Sequence, residues 1–406
     1  MFRPRDASPP SIFRQRSPCP SPGAILPPAV TQKALPVHTP ETRSIDPSST
    51  DWREQARHAI RDLAGLERAI RLTDEERRGV ERALSGGFPL SITPYYLSLI
   101  DPDDPSCPIR RQVVPTAHEG VEVPGDLVDP LGEVEHEVAP ELIRRYPDRV
   151  LLLATDRCAV YCRFCTRSRM VGDGGGARSL DVLEPAFRYI EENTDLHEVI
   201  VSGGDPMVMS TSRLVAIFER LAQIPHIGNV RLATRAPVTI PQRVTDELCE
   251  ALERAHPSIW VMTHFNHPKE ITEASREACA RLVDHGFPVM NQTVLLRGVN
   301  DDPAVLEQLF RGLVRMRVRP YYLLQADPVR GTGHLRTPLQ RGMEILARLQ
   351  GRLSGIALPK LVVDTPGGRG KVVVGPDVIV DKSGGRTTLR TFRGELVDYL
   401  DPPEGR

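Results

Sequence analysis

The chain has 406 residues, a formal net charge of -1, and a composition of 40% hydrophobic and 26% charged residues. These values are ordinary for a globular protein, and the small net charge gives no reason to expect a nucleic acid or a membrane surface as a partner. No run of about 18 apolar residues occurs, so no transmembrane helix is expected. The N-terminus lacks the apolar segment of a secretory signal, which leaves the cytoplasm as the default location. Seven cysteines are too few for a disulfide scaffold.

The first 149 residues divide into two regions of different composition. Residues 1–48 contain eleven prolines and almost no apolar periodicity, which predicts a disordered, proline-rich tail. Residues 49–149 are predicted to form a helical region followed by a connector. Apolar residues recur there at spacings of three and four as far as about Ser85, and proline-containing turns follow.

From Val150 onward, short apolar segments alternate with helix-like patterns at intervals of about thirty residues, the length of a strand–helix–strand unit. The strand candidates are 150–154, 199–202, 230–234, 259–264, 289–295, 320–325 and 361–364. The helix candidates are 181–192, 211–222, 242–255, 270–285, 302–315 and 338–350. This alternation predicts an α/β fold for 150–365, a partial parallel (β/α)6 barrel, followed by a C-terminal segment at 366–406. A flat, doubly wound sheet is the competing arrangement, and periodicity alone does not exclude it.

Three cysteines, Cys158, Cys162 and Cys165, lie within eight residues directly after the first strand candidate. Three soft thiolates on a short loop suit an iron–sulfur cluster. A zinc ion would need a fourth ligand, and no nearby histidine or cysteine has the usual paired spacing. Since the chemistry of a barrel lies at the C-terminal ends of its strands, the triplet predicts a metal centre at the catalytic face.

Two glycine-rich turns follow later strand candidates. The second strand ends in Ser202-Gly203-Gly204-Asp205, where the glycines permit a close approach of the backbone to a ligand, or simply a tight turn. The second turn precedes Lys371. It fails the phosphate-binding loop pattern because Val372 follows the lysine. From the residues alone, a hairpin turn with a surface lysine is the favoured explanation.

Taken in order, these segments resemble the lysine 2,3-aminomutase family, a pyridoxal phosphate-dependent branch of the radical S-adenosylmethionine (radical SAM) superfamily. The resemblance covers about residues 51–398. The matching segments are Arg145-Tyr146-Pro-Asp-Arg149, the cysteine loop through Arg167, Ser202-Gly-Gly-Asp, Thr234-Arg-Ala-Pro, Thr263-His-Phe-Asn, Asn291-Gln, Arg317-Val-Arg-Pro-Tyr-Tyr and Asp364-Thr-Pro-Gly-Gly.

The resemblance implies three cofactors: a 4Fe-4S cluster on the three cysteines, S-adenosylmethionine, and pyridoxal 5′-phosphate. It implies that Lys371 forms a Schiff base with pyridoxal phosphate, and that Arg145, Tyr146 and Arg149 surround that group. These residue types fit, because two guanidinium groups can bind a phosphate and a tyrosine ring can stack.

By the same resemblance, adenosylmethionine contacts the glycine-rich segment after the second strand and two strand-end side chains. The residues concerned are Ser202, Gly203, Gly204, Asp205, His264 and Gln292. A histidine or glutamine at the end of a strand is also often a core residue with a hydrogen bond, and this alternative stays open for the last two.

For the substrate, the resemblance pairs Arg167 with an α-carboxylate, and Asp327 and Asp364 with the side-chain ammonium of lysine. Two aspartates in one buried site repel each other unless a cation lies between them, so the pair favours a basic side chain. Relatives that act on glutamate do not keep this pair. Turn formation is the alternative explanation, since a proline follows each aspartate closely.

The function implied is that of an isomerase, an intramolecular aminotransferase that moves the α-amino group of L-lysine to the β-carbon and gives β-lysine. The alternatives are the same shift on arginine or on a protein-attached lysine, a radical SAM enzyme without pyridoxal phosphate, and a non-catalytic zinc-binding scaffold. A reductant such as flavodoxin or ferredoxin is an expected partner. The cysteines that bind an intersubunit zinc ion in the family have no counterpart after Cys279, so that site is not expected, although a homo-oligomer is.

Overall fold

The computed structural model describes residues 46, 47, 49–172, 174–400 and 402, and the tail predicted at 1–48 lies outside this part except for residues 46 and 47. In the described part, the helices are α1 (Trp52–Arg57), α2 (Leu63–Ala69), α3 (Asp74–Leu84), α4 (Pro94–Leu97), α5 (Leu180–Glu192), α6 (Thr211–Ala222), α7 (Ala236–Thr239), α8 (Asp246–Ala255), α9 (Glu273–Asp284), α10 (Pro303–Arg315) and α11 (Leu339–Leu349). The strands are β1 (Glu137–Ala139), β2 (Leu142–Tyr146), β3 (Arg149–Thr155), β4 (Glu198–Gly203), β5 (Asn229–Ala233), β6 (Ile259–Thr263), β7 (Val289–Leu295), β8 (Arg319–Gln325), β9 (Lys360–Asp364), β10 (Lys371–Val374), β11 (Ile379–Ser383), β12 (Arg386–Arg390) and β13 (Leu396–Leu400).

The main sheet contains ten strands whose spatial order follows the chain, from β1 to β10. Strands β3 to β9 are parallel to one another. A doubly wound sheet requires the strand order to reverse at a switch point. The order here does not reverse, so the flat alternative is wrong and the predicted α/β fold is confirmed.

Six strand–helix units precede β9, which is the seventh parallel strand and corresponds to the strand candidate at 361–364. Because right-handed crossovers between sequentially ordered strands put every helix on the same face, α5 to α11 cover one side of the sheet. Neighbouring helices pack together there, for example α6 against α8. The core between helices and sheet is mainly apolar, with Phe187, Phe218 and Phe310 fully buried.

Side chains at the two ends of the sheet meet on its other side. The guanidinium of Arg145 in β2 forms an ion pair of 2.6 Å with Asp364 at the end of β9. The hydroxyl of Tyr146 accepts a hydrogen bond of 2.8 Å from the backbone N–H of Lys371 in β10. The sheet is therefore curved into a partial barrel whose gap is bridged by side chains rather than by strand pairing.

The N-terminal region forms three short helices in place of one continuous pattern. Each begins at a side chain that caps the helix: Asp51 for α1, Asp62 for α2 and Thr73 for α3. Such caps satisfy backbone N–H groups that would otherwise lack partners. Two further helix candidates begin later than predicted, at Asp246 and Glu273, because short 3-10 turns at Pro241–Arg243 and Pro268–Glu270 come first.

Two strand regions were not predicted. Strands β1 and β2 form an antiparallel hairpin inside the expected connector and extend the sheet beyond β3. Strands β11 to β13 form a separate, largely exposed antiparallel sheet within the expected C-terminal tail. In the described residues, no helix has both the length and the apolar character that a membrane crossing requires.

The N-terminal helices are joined to the connector by a buried ion pair. Arg110 is fully buried and donates two hydrogen bonds, of 2.7 and 2.6 Å, to the two carboxylate oxygens of Glu76 in α3. Removing one partner of a buried pair leaves an uncompensated charge and costs about 3–5 kcal/mol.

We therefore predict that Arg110→Met lowers the free energy of unfolding by about 3–5 kcal/mol, measured by urea denaturation. The matched control is Arg77→Met, which removes the half-exposed pair with Glu67 and should cost no more than about 1 kcal/mol. Equal losses for the two variants would contradict the assignment of a structural role to the buried pair.

Candidate active site

A cavity of about 540 Å³ lies on the concave side of the sheet, at the carboxyl ends of the parallel strands. Every site residue predicted from the sequence lines it: Arg145, Tyr146, Arg149, Cys158, Cys162, Cys165, Arg167, Ser202, Gly203, Gly204, Asp205, His264, Gln292, Asp327, Asp364 and Lys371. Strand alternation explains how the sheet supplies them. In β7, for example, Gln292 and Val294 face the cavity, whereas Asn291 and Thr293 are buried on the other side.

A second hollow, of about 720 Å³, lies between the N-terminal helices and the outer helices α8 and α9. It contains none of the predicted site residues. Of these two cavities, only the concave one contains the site residues predicted from the sequence.

The three cysteines follow β3 and lie on one wall of the concave cavity. Burial and the neighbouring Cys162 raise the pKa of Cys165 to about 11. Burial, Asp205 and the other two thiols raise the pKa of Cys158. Three thiolates would thus repel each other strongly at this place, and a cationic metal centre would relieve that repulsion.

Among the described residues, no group of three His, Cys, Asp or Glu side chains is arranged around the position of a single metal ion. A cluster with several irons places each thiolate on a different iron atom. The soft donors of this loop fit such a cluster better than one ion.

The two glycines after β4 are required by the packing of the backbone. A Cβ atom at Gly203, which has φ = +114°, would lie 2.2 Å from the carbonyl oxygen of Thr155. A Cβ atom at Gly204 would lie 2.3 Å from the carbonyl oxygen of Arg157. The end of β4 therefore lies directly against the start of the cysteine loop, and that close contact fixes the position of the loop.

Asp205, which follows the glycines, is engaged within the protein. Its carboxylate accepts hydrogen bonds from the hydroxyl of Thr234 (2.7 Å) and from the backbone N–H groups of Arg235 (2.8 Å) and Met207 (3.0 Å). This arrangement connects the end of β4 to the end of β5. The predicted contact of residues 202–205 with adenosylmethionine stays a prediction.

Arg167 is oriented by a carboxylate that no sequence pattern indicates. Glu133 is buried and accepts hydrogen bonds from Arg167 (2.9 Å) and Arg169 (2.9 Å). Burial raises the pKa of Glu133, but the two guanidinium groups outweigh this effect and hold it below its usual value. One nitrogen of Arg167, Nη1, points instead toward the hydroxyl of Ser202 at 3.4 Å. No sequence signal distinguishes Glu133 from the other glutamates of the connector, since neither periodicity nor a motif marks it.

Lys371 and Asp364, which also line the cavity, form an ion pair, and Arg145 is the second cation bound to Asp364. Burial raises the pKa of Asp364, but the charges of Lys371 and Arg145 bring it below its usual value. Among the described residues, the carboxylate of Asp327 has neither an ion-pair nor a hydrogen-bond partner. Burial and the nearby Asp364 raise the pKa of Asp327 to about 7.

A group of cationic and aromatic side chains lines the cavity near Lys371. The guanidinium of Arg149 stacks on the ring of Tyr146 at 3.7 Å. Arg231 of β5 also faces this cavity, and its Nε is buried without a hydrogen-bond partner among the described residues. The sequence could have indicated Arg231, because it is a charged residue between two apolar ones in a strand.

His264 lines the cavity directly after β6, whereas Gln292 lines it from the middle of β7 and not from the predicted strand end. Burial and the charge of Arg235 lower the pKa of His264 to about 3. Its Nε2 lies 3.1 Å from the amide oxygen of Asn266. His264 is therefore neutral at physiological pH, and its Nε2 already has a partner in the protein.

The order of the strands and the cysteine loop at their carboxyl ends define a protein of the radical SAM superfamily. The model of this superfamily matches residues 152–309. Membership implies a 4Fe-4S cluster and S-adenosylmethionine. A solved radical SAM methyltransferase from Sphaerobacter thermophilus is a distant neighbour, with a TM-score of 0.40 and 21% identity over 55% of this chain and 68% of that chain.

A second family model, lysine-2,3-aminomutase, matches residues 346–405. The L-lysine 2,3-aminomutases of Fusobacterium nucleatum and Clostridium subterminale are each 45% identical over 357 residues, which is 88% of this chain and 84% and 85% of the two relatives. A glutamate 2,3-aminomutase of Clostridioides difficile is 40% identical over 356 residues, 87% of this chain and 84% of that protein. The chain belongs to the lysine 2,3-aminomutase family, which confirms the predicted resemblance and the isomerase class.

We predict that Gly204→Ala reduces the iron bound per chain after anaerobic reconstitution, because the added Cβ would collide with the backbone of Arg157 and displace the cysteine loop. The matched control is Gly355→Ala, where a Cβ meets no atom within 4 Å and iron content should be unchanged. Full iron loading of Gly204→Ala would contradict the role given to this contact.

Proposed function

We propose that this protein moves the α-amino group of L-lysine to the β-carbon, using S-adenosylmethionine, a 4Fe-4S cluster and pyridoxal phosphate. The observation that carries the proposal is the common cavity lined by Cys158, Cys162, Cys165 and Lys371. A thiol triplet and a lysine amine that line one cavity suit a reaction that needs both of their cofactors. A reductant such as flavodoxin or ferredoxin and a homo-oligomeric state stay predictions.

Each cofactor has a set of residues suited to hold it. Cys158, Cys162 and Cys165 provide the thiolates for the cluster. Arg149 and Tyr146 provide a cation and an aromatic face near Lys371, which suit a phosphate and a pyridine ring. When bound, the cluster with adenosylmethionine supplies one-electron chemistry for removing and returning a hydrogen atom, and pyridoxal phosphate supplies the aldehyde that holds the migrating nitrogen.

The charges around Asp364 support a basic substrate. Without ligands, the ammonium of Lys371 is the cation that neutralises Asp364 on the cavity side. When the amine of Lys371 is bonded to pyridoxal phosphate, Asp364 keeps Arg145 as its ion-pair partner, while Asp327 has no ion-pair partner among the described residues. The side-chain ammonium of lysine would supply the missing charge between the two carboxylates, whereas the carboxylate of glutamate would add to the repulsion.

Arg167 is suited to the other end of the substrate. Glu133 holds one edge of its guanidinium and thereby fixes its orientation, while Nη1 remains directed toward Ser202 and the cavity. A planar guanidinium fixed in this way can pair with an α-carboxylate. The substrate would then be held at both charged ends, which fixes the position of the carbons between them.

The proposal is tested by reconstituting the protein anaerobically with iron, sulfide, pyridoxal phosphate, adenosylmethionine and a chemical reductant. L-lysine, L-arginine and L-glutamate are then supplied separately, and the β-amino acids are separated by chromatography. We expect β-lysine as the main product. A β-amino product from arginine or glutamate alone would overturn the substrate assignment, and no product with a fully loaded protein would overturn the reaction.

We predict that Lys371→Ala abolishes both the absorbance of bound pyridoxal phosphate and turnover, since the amine that bonds to the aldehyde is lost. The matched control is Lys360→Ala. Lys360 is an exposed lysine of β9 outside the cavity, and its removal should change neither readout. An Lys371→Ala variant that retains full activity would refute the role of Lys371.

We predict that kcat/KM for lysine falls about tenfold per pH unit below about pH 7, because protonation of Asp327 removes the charge that binds the substrate ammonium. Asp327→Asn should abolish this dependence and raise KM roughly tenfold to hundredfold. Asp377→Asn, at an exposed aspartate outside the cavity, serves as the control. A wild-type profile that is flat between pH 5.5 and about 8 would rule out Asp327 as the titrating group.

A further inference from the structure

Arg235 contacts the cysteine loop from the neighbouring side of the barrel. It lies two residues beyond the end of β5 and is buried, with 7% of its surface exposed. Its Nη1 donates a hydrogen bond of 2.7 Å to Sγ of Cys162. A permanently charged guanidinium therefore lies against one of the three sulfur atoms of the loop.

The position of this guanidinium is fixed by further hydrogen bonds. Nη2 donates to Glu270 (2.7 Å), to the amide oxygen of Gln112 (2.6 Å) and to the hydroxyl of Tyr96 (3.1 Å). Nε donates to the backbone carbonyl of His264 at 3.2 Å. Because a displaced arginine would leave several buried acceptors without partners, the contact with the sulfur is held in place.

Glu270 places a negative charge directly behind Arg235. It is fully buried, and its Oε1 accepts hydrogen bonds from Arg235 and from the hydroxyl of Tyr96 at 2.7 Å. Its Oε2 accepts from the backbone N–H groups of Asn266 (2.6 Å) and His267 (2.9 Å). The electrostatic potential at Cys162 thus depends on two opposite buried charges. Removing the charge of Arg235 would make this potential more negative, and removing the charge of Glu270 would make it more positive.

We propose that Arg235 is a positioning residue that orients Cys162 and raises the reduction potential of the metal cluster, and that Glu270 moderates this effect. Reduction adds negative charge to a cluster, so a cationic hydrogen-bond donor to a ligand sulfur stabilises the reduced state. A carboxylate behind that donor acts in the opposite sense. The inference deepens the proposed function and rests on its assignment of Cys162 as a cluster ligand.

The test is the midpoint potential of the reconstituted cluster, measured without adenosylmethionine or lysine by a redox titration followed by electron paramagnetic resonance. At a fixed applied potential, Arg235→Met should lower the ratio of reduced to oxidised cluster at least about tenfold, which for a one-electron couple is about 59 mV. Glu270→Gln should change the ratio in the opposite direction. Arg235→Lys keeps the charge, so its midpoint potential should lie between those of Arg235→Met and the wild type.

The control is Arg254→Met, which removes an exposed arginine of α8 whose ion-pair partner is Glu250; its potential should equal that of the wild type. Iron and sulfide are quantified for each variant. If Arg235→Met loads a full cluster without a change in potential, the proposal is overturned. If Arg235→Met binds no cluster, the test rests on the midpoint potential of Glu270→Gln. The proposal is then overturned if that potential is not higher than the wild-type value. Loss of the cluster from both variants would also overturn it, because the pair would then serve folding alone.

The two proposals fail in distinguishable ways. A wild-type protein that binds no iron–sulfur cluster or forms no β-lysine counts against the proposed function. A wild-type protein that does both, with unshifted potentials in the loaded variants, counts against the role of Arg235 and Glu270 only.

Discussion

The ion pairs of Asp364 are the constraint on which the arrangement of the cavity depends. Asp364 ends the last parallel strand, and its partners are Arg145 from the hairpin at the opposite end of the sheet and Lys371 from the strand that follows the glycine-rich turn. Since the sheet is not closed by hydrogen bonds between its edge strands, these side-chain contacts span the remaining gap. They bring the amine of Lys371 to the inside of the curved sheet. The same carboxylate that joins the two ends of the sheet also leaves Asp327 as an uncompensated acid beside it.

The part of the cavity formed by the cysteine loop depends on the backbone. The end of β4 lies so close to the start of the cysteine loop that only glycine fits at positions 203 and 204. Asp205 then connects β4 to β5, and Arg235 at the end of β5 returns to Cys162. Consecutive strands thus support one loop through short polar contacts. Both walls are built from strand ends, where the barrel geometry lets distant parts of the chain converge.

Much of this organisation could be predicted from the sequence, for identifiable reasons. The seven parallel strands are short apolar segments, and all seven are strands in the structure. The cysteine triplet and the glycine-rich turns are local motifs, and the residues assigned through the family resemblance all line one cavity. The hairpin β1–β2 was missed because its strands are short and β2 carries two adjacent arginines in place of an alternating pattern. Glu133 and Glu270 were missed because their importance comes from burial against an arginine distant in sequence, and spacing carries no information on such pairs.

The central claim is that the cluster bound by the cysteine loop and the group bound by Lys371 act on one substrate within one cavity. The most direct test uses adenosylmethionine that carries deuterium on its 5′ carbon, together with unlabelled L-lysine and the reconstituted enzyme, with mass spectrometry of the product. If the 5′ carbon of adenosylmethionine exchanges hydrogen with the substrate held near Lys371, deuterium will be found on the carbon skeleton of β-lysine. Formation of β-lysine free of deuterium over many turnovers would contradict the claim.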